Sequence, residues 1–234
     1  MDTVWQSSPL ARQLIQTEAI LLEAAMADVF GLEMLQLGRW GARHQLLAGN
    51  RIRHQTVLAS QVAADVDIVA RLAHLPVQSS AIDAVLLPHV LEYESDPHAV
   101  LREADRVLVG EGQLLILGFQ PAGPWGWRAA ASRSGFPPGS RRLLSEQRLR
   151  DWLGLLRYEI VAVQRYLYRW PFETKTVPDA ATAGQRGLKR GWVYPWPAGA
   201  YLLRARKRVY SATPLRARRR ERRAVLGGAW EPST

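Results

Sequence analysis

Two glycines follow a short apolar segment, and they are the first residues whose types and spacing suggest chemistry. The segment EMLQLG runs from Glu33 to Gly38, and Gly41 lies three residues further on. A glycine after a buried strand lets the chain turn sharply and lets a ligand approach the backbone closely. The N-terminus of a following helix would offer free amide groups to an anion. Alone the pattern is a weak signal, because such a glycine more often belongs to a simple turn.

His89 is the histidine best placed for proton transfer, since it directly follows the apolar segment AIDAVLLP, which ends at Pro88. An imidazole at the end of a buried strand can act as a general base toward a hydroxyl or a carbon acid. A structural histidine that closes the strand is at least as good an interpretation. The other histidines show no ligand spacing, and the chain has no cysteine, so the sequence predicts no metal site.

Alternating strands and helices must position these residues. Short apolar segments of this kind are typical of strands that are covered on both faces. They predict strands at residues 33–38, 54–61, 81–88, 113–119 and 199–207.

Helical patterns lie between and before these strands. Apolar residues at helical spacing predict a helix within residues 8–29, with Gly31 as its C-cap. Asp96 and Pro97 are typical of a helix start, and Gly110 and Gly112 are expected to end that helix. This order indicates an α/β fold: an open, mostly parallel sheet with helices on both faces. Ligands bind such sheets beyond the carboxyl ends of the strands, where strand order reverses.

A series of short motifs follows in order within residues 75–121. They are Leu75-Pro76-Val77, Asp83, His89-Val90-Leu91-Glu92-Tyr93, Asp96-Pro97, Leu101-Arg102-Glu103, Arg106-Val107-Leu108 and Gly112. This series resembles class I S-adenosylmethionine-dependent methyltransferases, particularly the type 11 group. With the strand and glycines at residues 33–41, the resemblance extends over residues 31–121. It implies a Rossmann-like, doubly wound fold, S-adenosylmethionine as cofactor, and methyl transfer to an acceptor.

The first strand and its loop depart from the pattern of that family. Gln36 stands where the family has an acid, and Gly38 matches the first glycine of its G-x-G-x-G loop. Trp40 replaces the second glycine, and Gly41 lies one place before the third. A bulky indole at Trp40 must change how closely the methionine part of the cofactor can approach.

Other cofactor positions implied by the resemblance also lack their acids. Gln61 stands near the ribose position, Arg71 at the adenine position, Leu72 at the backbone contact, and Pro88 at the end of the fourth strand. A charged hydrogen bond contributes about 1.5–3 kcal/mol, so losing two or three could move a micromolar affinity to millimolar.

Three functional hypotheses follow. The first is a methyltransferase that acts on a small-molecule acceptor. The second is a binding or regulatory protein of the same fold that has lost catalysis, as the substitutions at Gln36, Trp40 and Arg71 suggest. The third, a nucleic-acid methyltransferase, is disfavoured because LPHVLEY replaces the Asn-Pro-Pro-Tyr-like segment of base-flipping enzymes.

The net charge of +10 is concentrated near the C-terminus. Ten of the 31 Lys and Arg residues lie from Arg204 onward, against two Glu, so the rest of the chain is nearly neutral. We expect a methyltransferase-like domain at residues 1–208 and a basic, disordered tail at 209–234. The tail could contact nucleic acid or another polyanion through phosphate neutralisation.

Aromatic residues are concentrated in two segments, at about residues 120–150 and 166–198. They could form a lid over an acceptor pocket, or equally a packed cap over the core. The members are Trp125, Trp127, Tyr166, Tyr168, Trp170, Trp192, Tyr194 and Trp196.

The sequence also predicts a cellular location. The N-terminal segment lacks the basic start and the apolar run of a signal peptide. No segment offers the roughly 20 apolar residues of a membrane span. We therefore expect a cytoplasmic protein.

Overall fold

The computed structural model of the protein describes residues 3–42, 44–133, 135–168, 170–171 and 197–209. The predictions for Trp192, Tyr194, Trp196 and the basic tail from residue 210 onward lie outside these described residues. Within them, no helix is both long and apolar enough to cross a bilayer.

Within the described residues, seven strands form one sheet, and five of them are parallel. The strands are β1 (Glu33–Leu37), β2 (His54–Ala59), β3 (Ile68–Val69), β4 (Ile82–Pro88), β5 (Leu108–Phe119), β6 (Tyr158–Tyr166) and β7 (Ala200–Lys207). Their order is β3-β2-β1-β4-β5-β7-β6. Strand β7 runs antiparallel to its neighbours β5 and β6, and the pairs from β3 to β5 are parallel.

Helices cover both faces of the sheet. They are α1 (Thr3–Gln6), α2 (Pro9–Met26), α3 (Val90–Tyr93), α4 (Pro97–Val107), α5 (Pro124–Ala131) and α6 (Glu146–Leu155). Leu14 and Leu22 of α2 belong to the core on one face, while Leu101 of α4 and Leu149 of α6 belong to the core on the other. The predicted doubly wound, mostly parallel α/β fold is therefore confirmed.

Side chains start the helices as their sequences predict. Asp96 accepts a hydrogen bond from Ala99 N at 2.9 Å, and Pro97 is the first residue of α4. Ser8 accepts one from Ala11 N at 3.2 Å at the start of α2. Both contacts satisfy backbone donors that have no partner within the helix.

The glycines predicted to end the helices have other roles. Helix α2 ends at Met26, before Gly31, so the prediction of a Gly31 cap is wrong. Gly31 instead allows close approach of Asp83, because a Cβ on Gly31 would lie 2.4 Å from Asp83 Cβ. Helix α4 ends at Val107, and the next residues pair with β4, so Gly110 and Gly112 lie inside β5 rather than at a helix end.

Four of the basic residues counted with the tail belong to the folded domain. Arg204 and Lys207 lie in β7 and pair with Asp28 at 2.5 Å and Asp105 at 3.4 Å. Arg206 and Arg208 both reach Glu159, at 3.0 and 2.6 Å. These four residues are therefore paired with acids of the folded domain, and the other six of the ten lie beyond residue 209 in the sequence.

The strand order identifies the edge of the sheet at which ligands are expected to bind. The chain passes from β1 outward to β2 and β3, then returns to β4 on the other side of β1. Strand order thus reverses between β1 and β4. Loops that follow the carboxyl ends of these strands form the edge that we call the carboxyl edge.

Candidate functional site

A buried carboxylate, Glu18 of α2, joins three elements at the carboxyl edge. The side chain is completely buried. Its Oε2 accepts a hydrogen bond from Trp40 Nε1 at 2.7 Å, and its Oε1 accepts from His89 Nε2 at 2.7 Å. The hydroxyl of Tyr166, the last residue of β6, also donates to Oε1, at 2.8 Å. Since a buried carboxyl group needs hydrogen-bond partners, these three donors satisfy both oxygens of Glu18.

The Glu18 contact sets the charge of His89, which is also completely buried. Burial alone would lower the pKa of His89, but the charge and hydrogen bond of Glu18, with a smaller contribution from Glu92, outweigh it. The pKa is raised from 6.5 to about 9. His89 is therefore an imidazolium at neutral pH. Its Nδ1 lies 3.8 Å from Glu92 Oε1, which accepts Phe119 N at 2.8 Å.

His89 is enclosed by aromatic rings as well as by charges. Its ring stacks on Phe119 with 4.0 Å between centroids and lies 4.6 Å from the Trp40 ring. A general base needs a free lone pair within hydrogen-bonding reach of the acceptor. In this arrangement His89 offers none, so the geometry favours a structural role for this residue.

Trp40 fills the space between the ends of β1 and β4. The side chain is 1% exposed, and its ring packs near those of Trp5, His89 and Phe119. Gly38 and Gly41 bracket it with φ of 86° and 76°, which are conformations that glycine adopts without strain. The sequence predicted a loop at this place. The indole of Trp40 stands where the resemblance to methyltransferases implies a glycine and room for the cofactor.

Gln36 shapes the same loop. Its Nε2 donates to Gly38 O at 3.0 Å, and the side chain is buried at the end of β1. Pro88 is buried at the neighbouring end of β4. The structure therefore brings five predicted residues together at the carboxyl edge: Gln36, Gly38, Trp40, Pro88 and His89.

Three other predicted cofactor contacts lie outside the Trp40 loop. Gln61, in the loop after β2, and Arg71 are exposed. Leu72 is buried in a core cluster, where it packs with aliphatic side chains. Their roles in cofactor binding stay predictions.

A cavity of about 620 Å³ lies beside the Trp40 loop. The volume is within the roughly 300–1,000 Å³ that small-molecule sites occupy. We call it the edge cavity, because its walls are the loops after β1 and β2 and the start of the N-terminal helices. The lining residues are Gln6, Ser7, Arg12, Ile15, Gln16, Arg39, Gly41, Ala42, Gln45, Ala64 and Asp65.

Charged residues of both signs line the edge cavity. Arg12 of α2 is exposed on the N-terminal side. Asp65, in the loop after β2, pairs with Arg39 at 2.7 Å. At Gly41 an added Cβ would meet Ile15 at 2.9 Å, so glycine keeps the wall open. Neither Arg12 nor Glu18 was predicted from the sequence. One sequence feature does indicate that Glu18 is buried, since it shares the apolar face of α2 with Leu14 and Leu22.

The chemistry of the edge-cavity residues fits S-adenosylmethionine. The cofactor carries an amino-acid zwitterion and ribose hydroxyls. A guanidinium such as Arg12 suits its carboxylate, and a carboxylate such as Asp65 suits its ammonium or hydroxyls. Among the described residues, no cluster of three His, Asp or Glu side chains could hold a metal ion.

The aromatic residues after β5 divide into two groups. Trp125 is 2% exposed and stacks on Phe119 at 5.3 Å, so it belongs to a packed cap, as does the buried Tyr166. Trp127 and Trp170 lie 5.8 Å apart and are 37% and 44% exposed. The cap interpretation therefore suits the first pair, whereas the second pair is partly exposed.

Comparisons with known proteins agree with this architecture. Residues 23–116 match a family model described as a methyltransferase domain. The chain is 35% identical to the uncharacterized protein YafS of Escherichia coli (strain K12) over 140 residues, which cover 59% of this chain and 57% of YafS. It spans between half and two thirds of the length of the curated relatives that it matches.

Solved structures of low sequence identity share the fold. A SAM-dependent methyltransferase from Thermotoga maritima is 18% identical, with a TM-score of 0.57 over 83% of this chain and 92% of that one. The cyclase SpnF is 19% identical, with a TM-score of 0.54 over 82% of this chain and 80% of that one. Together with the strand order, these likenesses show that the chain has the class I methyltransferase fold, and residues 23–116 are similar to a methyltransferase domain.

Proposed function

We propose that the protein is an S-adenosylmethionine-dependent methyltransferase with a small-molecule acceptor, and that the edge cavity holds the cofactor. The observation that carries this proposal is the position of the cavity. It lies at the carboxyl ends of β1 and β2, it has the volume of a small-molecule site, and it contains Arg12 and Asp65. The match of residues 23–116 to a methyltransferase domain supports the choice of cofactor.

The side chains of the cavity would bind and orient the cofactor. Arg12 would pair with its carboxylate, and Asp65 would accept hydrogen bonds from its ammonium or ribose hydroxyls. Gly41 would let it approach the backbone. When bound, S-adenosylmethionine supplies a methyl group on a sulfonium, which an acceptor displaces in line without a metal or a covalent protein intermediate.

The state of His89 narrows the class of acceptor. Glu18 holds His89 as an imidazolium, which cannot take a proton at neutral pH. We therefore infer an acceptor that attacks without first giving a proton to His89, such as a neutral amine or a thiolate. An acceptor that needs His89 as its base would require the Glu18 contact to break.

Calorimetric titration of the full chain with S-adenosylmethionine and S-adenosylhomocysteine tests the proposal. We expect both ligands to bind, and Arg12→Gln to weaken binding about tenfold or more, since a charged hydrogen bond contributes about 1.5–3 kcal/mol. Arg148→Gln, an exposed residue of α6 outside the cavity, is the matched control and should not change affinity. Absence of binding at millimolar ligand would overturn the proposal.

A second candidate is a binding or regulatory protein of methyltransferase fold without methyl transfer. The observation that favours it is the burial of Trp40 between β1 and β4, where it replaces a glycine of the family. The fold itself hosts different activities, as the name of the neighbour SpnF, a cyclase, illustrates. Failure of both ligands to bind in the titration would favour this candidate.

A further inference from the structure

Trp40 separates two regions of the carboxyl edge. Its sequence neighbours Arg39 and Gly41 line the edge cavity. Its ring packs on His89 and Phe119, which stand at the ends of β4 and β5. The indole therefore lies between the proposed cofactor position and the ends of β4 and β5, where the buried Trp125 stacks on Phe119.

Glu18 holds the indole in this position. The carboxylate binds Trp40 Nε1 through one oxygen, while the other oxygen binds His89 and Tyr166. The contact is thus part of a network that joins α2 to the ends of β4 and β6. All four residues are buried, and their hydrogen bonds to the carboxylate are charge-assisted. The network therefore favours a single arrangement of Trp40.

The same helix that carries Glu18 also forms a wall of the edge cavity. Arg12, Ile15 and Gln16 of α2 line the cavity, and Ile15 lies one turn before Glu18. A displacement of α2 that widens the cavity would therefore move Glu18 away from its partners. Because both contacts belong to one helix, cavity opening and release of Trp40 would occur together.

The chain on both sides of Trp40 is suited to local rearrangement. Gly38 and Gly41 have φ of 86° and 76°, and glycine reaches both positive and negative φ at low energetic cost. A few residues at loop ends that can change φ and ψ are the usual form of a hinge. Trp40 is thus a large side chain between two hinge residues.

We propose that Trp40 is a gate between the edge cavity and the ends of β4 and β5, and that Glu18 is the positioning residue that holds the gate closed. The structure shows the closed state. Opening joins the two regions and lets an acceptor above β4 and β5 reach the cavity. This inference rests on the proposed function for the identity of the ligand, but the movement of Trp40 is measurable without one.

Hydrogen exchange of the Trp40 indole Nε1–H in the full chain, followed by NMR, tests the gate. The resonance is assigned from its loss in Trp40→Phe. A gate opens locally, so its indole proton should exchange at least about tenfold faster than the amides of β4 and β5, with little dependence on denaturant. If Trp40 is only structural, its indole proton exchanges by global unfolding. Its protection and denaturant dependence would then equal those of the β4 and β5 amides, and that result would overturn the inference.

Variants of Glu18 give a second readout. Glu18→Gln keeps the shape but removes the charge, and we expect it to speed indole exchange about tenfold further than in the natural protein. Glu23→Gln, an exposed residue of the same helix, is the matched control and should leave the rate unchanged. Equal indole exchange rates in both variants would contradict the role of Glu18. If Glu18→Gln does not fold, the exchange rate of Trp40 in the natural protein still tests whether the gate opens.

Titration of the same samples with S-adenosylhomocysteine separates the gate from the proposed function. Local exchange of Trp40 without ligand binding would sustain the gate and overturn the proposed cofactor. Ligand binding with exchange of Trp40 only by global unfolding would sustain the cofactor and overturn the gate.

Discussion

The stability of the protein should decrease as pH rises through the range in which His89 loses its proton. The folded-state pKa of His89 is raised above its ordinary value of 6.5 to about 9. The stabilisation from this group is therefore fully present below pH 6.5 and is lost as pH passes 9. A shift of this size corresponds to about 3 kcal/mol, at 1.36 kcal/mol per pH unit. His89 is completely buried, so solvent screening removes little of it.

Urea unfolding of the full chain at a series of pH values from about 6 to 10 measures this effect. The Glu18→Gln variant supplies the reference, because it removes the anion that raises the pKa of His89. We expect the unfolding free energy of the natural protein to fall by about 3 kcal/mol more than that of the variant over this range. Parallel pH profiles in the two proteins would refute the assignment of an imidazolium to His89.

Three further predictions concern the scaffold and the tail. Gly31→Ala should lower the unfolding free energy by about 1–3 kcal/mol, since its Cβ would overlap Asp83, and a fully tolerated substitution would contradict the close approach. Arg106→Ala should lower the unfolding free energy by about 2–3 kcal/mol, because Arg106 binds the carbonyls of Leu75 and Val77. The control Arg102→Ala, at an exposed position of the same helix, should have little effect in the same denaturation experiment. Deletion of residues 210–234 should abolish salt-sensitive binding to heparin, measured by affinity chromatography at increasing salt, and survival of that binding would place the basic contact in the folded domain.

Local patterns were sufficient to predict most strands and the starts of the helices. The apolar segments at β1, β4 and β7 are buried strands, and Asp96 caps α4, because these features depend on residues close in sequence. The ends of helices were less predictable. Gly31 is required by Asp83, 52 residues away along the chain, and the end of α4 depends on pairing of β5 with β4.

The candidate site was predictable only in part, for a similar reason. The loop around Trp40 follows a recognisable strand, and the sequence indicated its unusual indole. The role of Glu18 could not be predicted, since its partners Trp40, His89 and Tyr166 lie 22, 71 and 148 residues away. An acid on the apolar face of α2 signals a buried partner but does not identify it.

A crystal structure of the full chain grown with S-adenosylhomocysteine tests the central claim most directly. The account predicts that the ligand lies in the edge cavity, in contact with Arg12 and Asp65. Crystals without bound ligand at saturating concentration, or a ligand bound away from both residues, would contradict it.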